Sequence, residues 1–145
     1  MPGAKRYADL YCYQVAVQIR REVLRLTRRE PARQDFRFTS QIRDSARGSP
    51  RNIVEGYSRF APTAILPFLS YAKASAHETA NHVVDGRECG YFTDDEAREL
   101  LGLIDRLVRA LLRWIRYLES PAARRYYEQH RARRTSQEYR PRSGK

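Results

Sequence analysis

An all-α fold is predicted, an antiparallel up-down four-helix bundle with a basic C-terminal extension, and three features of the sequence predict it. Apolar residues recur at steps of three and four through four long stretches, and no convincing strand pattern appears. Residues that stop or start helices stand between those stretches: Pro31, Pro62, the pair Gly86 and Gly90, and Pro121. A length of 145 residues fits one domain with one core. Residues 1–120 are assigned to the bundle and 121–145 to an arginine-rich tail.

The first helix is predicted from about Ala8 to Arg29. Val15, Ile19, Val23 and Leu26 share one face, Leu10, Tyr13 and Ala16 lie beside it, and Pro31 follows. The second runs from Thr39 to about Phe60, with Thr39 or Ser40 placed to cap it. It reads as amphipathic although Gly48 and Pro50 stand in its middle. Pro50 removes the hydrogen bond to the Ala46 carbonyl, a cost of about 3 kcal/mol in an isolated helix, so tertiary packing must offset it. Its inward positions are Ile42, Ser45, Ala46, Ser49, Ile53, Gly56 and Tyr57, and the small residues among them permit a close helix-helix approach.

Pro62 and Thr63 mark a tight turn into the third helix, about Thr63 to Arg87, with Pro67 in its first turn and Gly86 and Gly90 closing it. With the turn centred near Ala61, residues whose numbers sum to about 121 should face each other. Ile53 is thereby set against Phe68, Ser49 against Ala72, and Ala46 against Ser75. Arg43 and Glu78 are predicted to form an inter-helix ion pair. The fourth helix opens at Thr93-Asp94-Asp95-Glu96, a capping box with acids at the positive end of the helix dipole, and runs to about Glu119. Leu100, Ile104, Leu107, Leu111, Trp114 and Leu118 make its core seam. Leu101, Val108, Leu112 and Ile115 form a second apolar line, more than one bundle face uses, and such a surplus marks a subunit or partner interface.

The second helix also carries a recognisable motif. Gln41, Ile42, Arg43, Pro50, Asn52, Ile53, Glu55, Gly56 and Arg59 stand in the order and spacing of QIRRAxxSIPxNIAEGxGR. That signature resembles the four-helix-bundle family also called the 23S ribosomal-RNA intervening-sequence proteins, which includes the accessory variability determinant of diversity-generating retroelements. Leu10, Tyr13, Ala16 and Ile19 resemble the family's opening segment, and Phe68, Leu69, Ala72, Ser75 and Glu78 resemble a downstream one. Cys89, Gly90 and Tyr91 resemble its LGY, so the resemblance covers roughly Ala8 to Leu118. Departures are Tyr13 where tryptophan is usual, Asp44 for a second arginine, Ala74 for glycine, and Thr79 and Ala80 for a Leu-Glu pair. What the resemblance implies is a ring of five bundles and a reverse transcriptase as partner.

Charge is the outlier of the composition: 28 Lys and Arg against 17 Asp and Glu give +11, a surface that repels itself and attracts polyanions. Residues 121–145 hold eight positive side chains and two acids, 8 − 2 = +6, so over half the excess sits in the tail. Cys12 and Cys89 are far apart and in no CxxC spacing, which argues against a disulfide framework or a zinc site. With no leader pattern and no membrane-crossing apolar run, a reduced cytoplasmic protein is expected.

Arginine columns are the first candidates for function. Arg43, Arg47 and Arg51 recur every four residues, and Arg106, Arg109, Arg113 and Arg116 at three and four, so each set lines one helix face. Phosphate contact is one reading; neutralisation by the chain's own acids, Arg47 by Asp44 for example, is the other. In the tail, Arg124, Arg125, Arg131, Arg133, Arg134, Arg140 and Arg142 interleave with Tyr126, Tyr127 and Tyr139. Guanidinium groups grip a backbone while rings stack on unpaired bases, whereas a basic tail that only aids solubility is the plainer reading. The tail is expected to begin as helix and to end disordered around Thr135, Ser136, Pro141, Ser143 and Gly144.

Gln41, Pro50 and Gly56 are taken as structural parts of the motif; Glu55 is expected to pair with Arg59, and Asn52 to bond across the bundle near Pro50. His77-Glu78 followed by His82 misses the HExxH zinc spacing, because position 81 is Asn81. No catalytic residue, metal or cofactor is predicted. The expected function is a non-enzymatic, homo-oligomeric accessory protein that binds RNA or DNA. An adaptor between proteins, without a direct nucleic-acid role, is the alternative.

Overall fold

The computed structural model describes residues 4–138, with side chains described from Ala4 to Arg131. Five α-helices account for most of them, and no strand occurs among the described residues: α1 (Tyr11–Thr27), α2 (Phe36–Tyr57), α3 (Pro62–Glu88), α4 (Asp94–Leu118) and α5 (Pro121–Glu138). Two short 3-10 turns, Tyr7–Asp9 and Ala32–Gln34, precede α1 and α2. α1 packs against α2 and α4, and α3 packs against α2 and α4, so the four contacts close a ring. No helix among the described residues is long and apolar enough to cross a membrane.

The predicted apolar stripes are the buried ones. Val15, Ala16, Ile19, Val23 and Leu26 of α1 are buried, as are Leu100, Ile104, Leu107, Leu111, Trp114 and Leu118 of α4. The capping box of α4 forms as expected, with Glu96 N–H donating to Thr93 Oγ1 at 3.1 Å and the Thr93 N–H donating to the Glu96 carboxylate at 3.3 Å. α3 ends in a Schellman turn: Gly90 takes φ 76°, its N–H donates to the Arg87 carbonyl, and the Tyr91 N–H donates to the Gly86 carbonyl. Gly86 itself is a buried helical residue, because Phe92 and Phe38 come so close that a Cβ there would fall 2.5 Å from the Phe92 ring.

The start of α2 differs from the sequence expectation. Asp35 caps it, accepting from the Phe38 N–H at 3.0 Å, so the helix begins three residues before Thr39. Thr39 is a buried first-turn residue whose hydroxyl donates to the Phe36 carbonyl at 3.1 Å. Helical backbone then continues unbroken past Pro50, which is buried, to Tyr57. At the other end of the chain, α5 reaches Glu138 and so includes Thr135 and Ser136, which the sequence placed in a disordered end. Tyr139, Arg140, Pro141, Arg142, Ser143 and Gly144 lie outside the described residues.

The α2–α3 hairpin makes the close approach its small residues allow, with Ser49 on Ala72 as expected, while the contacts of Phe68 and Ser75 fall on Gly56 and Gly48, shifted from the expected partners Ile53 and Ala46. The Ser49 hydroxyl donates across the interface to the Ala72 carbonyl at 2.8 Å. One turn away, the buried hydroxyls of Ser45 and Thr79 stand 3.1 Å apart. Ser75 lies against Gly48, and Phe68 against Gly56: a Cβ on Gly48 would fall 2.3 Å from Ser75 Oγ, and one on Gly56 3.2 Å from Phe68 Cβ. Gly48 is therefore a contact residue that the sequence reading left off the inward stripe. No side chain but hydrogen fits there.

Candidate nucleic-acid interface

The first arginine column divides by burial. Arg43 is half-buried and turned toward α1, where its Nε donates to Thr27 Oγ1 at 2.8 Å and a terminal nitrogen donates to the Thr27 carbonyl at 3.2 Å. Thr27 is the last residue of α1, so its carbonyl is one of those a helix end leaves without an internal partner. A cation there also meets the negative end of the helix dipole. The predicted ion pair with Glu78 is absent; Glu78 is exposed and stands 3.7 Å from His82. Arg47 and Arg51 are exposed and make no ion pair with any described residue, the expected Arg47–Asp44 contact included.

In the second column, Arg109 is held by Asp105 one turn earlier on α4, its Nε donating at 2.8 Å. Arg106, Arg113 and Arg116 are exposed and have no acidic partner among the described residues. The column therefore presents three uncompensated guanidinium groups along one side of α4, with a fourth tied down. Beside them Leu101, Val108, Leu112 and Ile115 are half-buried in the isolated chain, which leaves apolar surface next to positive surface on the same helix.

α5 is anchored by Ala123, which is fully buried, and by Tyr127, which packs against the core. Burial pushes the Tyr127 phenol up to about 12. Tyr127 is thus engaged in packing rather than offered to a base. Tyr126 is half-buried and stacked on His130, ring centroids 4.0 Å apart. Arg124, Arg125 and Arg131 are exposed on this helix. Arg133 and Arg134 fall within its backbone span, but their side chains lie outside the described ones.

The remaining motif residues hold α2 itself. Glu55 lies 3.6 Å from Arg59, the expected ion pair one turn apart. Asn52 does not reach across to another helix; its Nδ2 donates to the Gly48 carbonyl of its own helix at 2.8 Å. The carbonyl two residues before Pro50 thereby gains a side-chain donor beside the break in the helix ladder. Gln41 is exposed.

Sequence reasoning missed one feature. A depression of about 480 Å³ lies beside the first three turns of α2, and Phe36, 81% exposed, forms part of its wall together with Arg33, Ser40, Gln41, Arg43 and Arg47. Phe36 lay in a stretch read as loop, where a lone aromatic has no periodic partner to mark it. Asp35 immediately before it, a standard capping residue, was the available signal.

A protein-family model described as 23S rRNA-intervening sequence protein matches residues 8–113 of the chain. Comparison with proteins of curated function gives no match.

Proposed function

The chain belongs to the 23S rRNA-intervening sequence protein family, and from that premise we propose that it is a non-enzymatic accessory protein that self-associates and binds nucleic acid. Its framework in this reading is an up-down four-helix bundle made of α1–α4, with α5 and the residues after it as a basic extension. The observation that carries the reading is the set Arg47, Arg51, Arg106, Arg113 and Arg116, all exposed and all without an acidic partner among the described residues. Uncompensated like charges repel, and a phosphate backbone is the ligand that relieves several of them at once.

The line Leu101, Val108, Leu112 and Ile115, partly buried against the core but still partly open to water, supports self-association, because covering it removes that apolar surface from water. An oligomer multiplies modest basic patches into one multivalent surface, so weak contacts of single chains add up. The number five and a reverse transcriptase as partner come from the resemblance to the retroelement accessory determinant, which makes that enzyme the first partner to test.

Binding of a labelled single-stranded RNA, followed while salt is raised from low to moderate concentration, tests the proposal. The expected result is binding that weakens steeply with salt, with a flatter dependence in an Arg124→Gln, Arg125→Gln variant. No binding at low salt, by a chain that circular dichroism shows to be helical and light scattering shows to be oligomeric, would replace this reading by the protein-adaptor one.

A further inference from the structure

Phe36 is the most exposed large apolar side chain among the described residues, yet its backbone belongs to a capped helix. It is the first residue of α2, directly after Asp35, whose carboxylate accepts from the Phe38 N–H at 3.0 Å and from the Tyr91 hydroxyl at 2.7 Å. Phe38, two residues on, is buried, with its ring 5.0 Å from that of Tyr91 and 5.8 Å from that of Phe92. One ring of the pair is the anchor. The other is held in water at the edge of the 480 Å³ depression.

The lining of that depression has the composition of a nucleotide seat. Ser40 and Gln41 are exposed and make no hydrogen bond to another described side chain, so their hydroxyl and amide groups are available to a ligand. Arg33, paired with the exposed Glu30 at 3.0 Å, lies beside Phe36, and Arg47, without an ion pair, stands at the far end. Asp44 is the one acid in the lining. Phe36 and Arg47 are eleven residues apart on one helix, about 16 Å at a rise of 1.5 Å per residue. That separation exceeds one nucleotide, so the phosphate at Arg47 belongs to a neighbour of the base at Phe36. A chain fits the groove better than a free mononucleotide does.

We propose that this groove seats an unpaired nucleotide of a single strand, its base stacked on Phe36, its edge facing Ser40 and Gln41, and the adjoining backbone on Arg47. Only an unpaired base offers a free face to such a ring, so the groove selects single strands over duplex. The proposal rests on the nucleic-acid reading and locates it. Because the arginine rows contact phosphate alone, the Phe36 ring is the element that senses whether a base is present.

The test uses the full chain and two labelled probes, a decamer of riboadenylate and a decamer of the same backbone without bases. Phe36→Ala should weaken the base-bearing probe by about 5- to 140-fold, the range for loss of one stacked base. It should leave the abasic probe and the salt slope unchanged, and Phe36→Trp should restore binding. Equal affinities of wild type and Phe36→Ala for the riboadenylate would overturn the groove proposal while leaving the arginine rows in place. A change of oligomer mass in Phe36→Ala would also overturn it, by assigning Phe36 to a subunit contact. Failure of the wild type to bind either probe at low salt would instead remove the nucleic-acid reading itself.

Discussion

Arg43 shows how a single side chain is decided by what lies within its reach. The partner the sequence suggested, Glu78 on α3, is an exposed carboxylate, which offers little in water; the end of α1 offers a carbonyl and a hydroxyl. The second partner wins because a guanidinium can donate to both groups at once. Arg43→Met should therefore lower the unfolding free energy in urea by about 1–3 kcal/mol, and Arg43→Lys should recover little of it. Glu78→Ala should stay within about 0.5 kcal/mol of wild type. Equal losses in Arg43→Met and Glu78→Ala would reinstate the ion pair. The facing rule for α2 and α3 set Ser49 on Ala72, but it was blind to α1, whose end point is set by a chain connection that periodicity does not describe.

At the level of the helix, two glycines separate packing from propensity. Gly48 lies against Ser75, and a Cβ would stand 2.8 Å from the Ser75 Cβ as well as 2.3 Å from its hydroxyl, so turning the side chain is no escape. Gly102 on α4 has nothing within 4 Å of the same position. Alanine is the better helix former by about 1 kcal/mol at either site. Gly102→Ala should accordingly raise thermal stability, whereas Gly48→Ala should lower it, since overpacking costs about 1–3 kcal/mol. Calorimetry on both variants, with Gly48→Ala/Ser75→Gly recovering part of the loss, checks the assignment. The same contrast explains what the sequence disclosed. The apolar stripes of α1 and α4 and the Thr93–Glu96 box were legible because they follow period and spacing. The entry of Gly48 into the interface was not, because only the tilt of two helices around small residues brings it there. The early start of α2 was hidden for a related reason: Phe36 puts an apolar side chain on the water-facing side, about 200° round the helix from the buried Phe38, and so blurs the apolar stripe at the helix start.

For the whole molecule, 28 lysine and arginine side chains face 17 acids, so the fold can compensate only part of its positive charge internally and must distribute an excess of +11. Pairs such as Arg29–Glu96, which joins the end of α1 to the start of α4 at 2.6 Å, use some of the arginines for architecture. Arg109 with Asp105 and Arg59 with Glu55 use others along a single helix. The rest of the two columns, Arg47, Arg51, Arg106, Arg113 and Arg116, remains turned to water. The columns were visible in the sequence as spacing, but which members are compensated depended on rotamers and neighbours, and this is where the reading of Arg43 and Arg109 changed. The most direct test of the account is the slope of log affinity against log salt for a single-stranded RNA, measured on the full chain and on a variant with those five arginines changed to glutamine. Each lost phosphate contact should reduce the slope by about 0.7, so a fall of up to about 3.5 is predicted, with helix content and oligomer mass unchanged. An unaltered slope and affinity in that folded variant would contradict it.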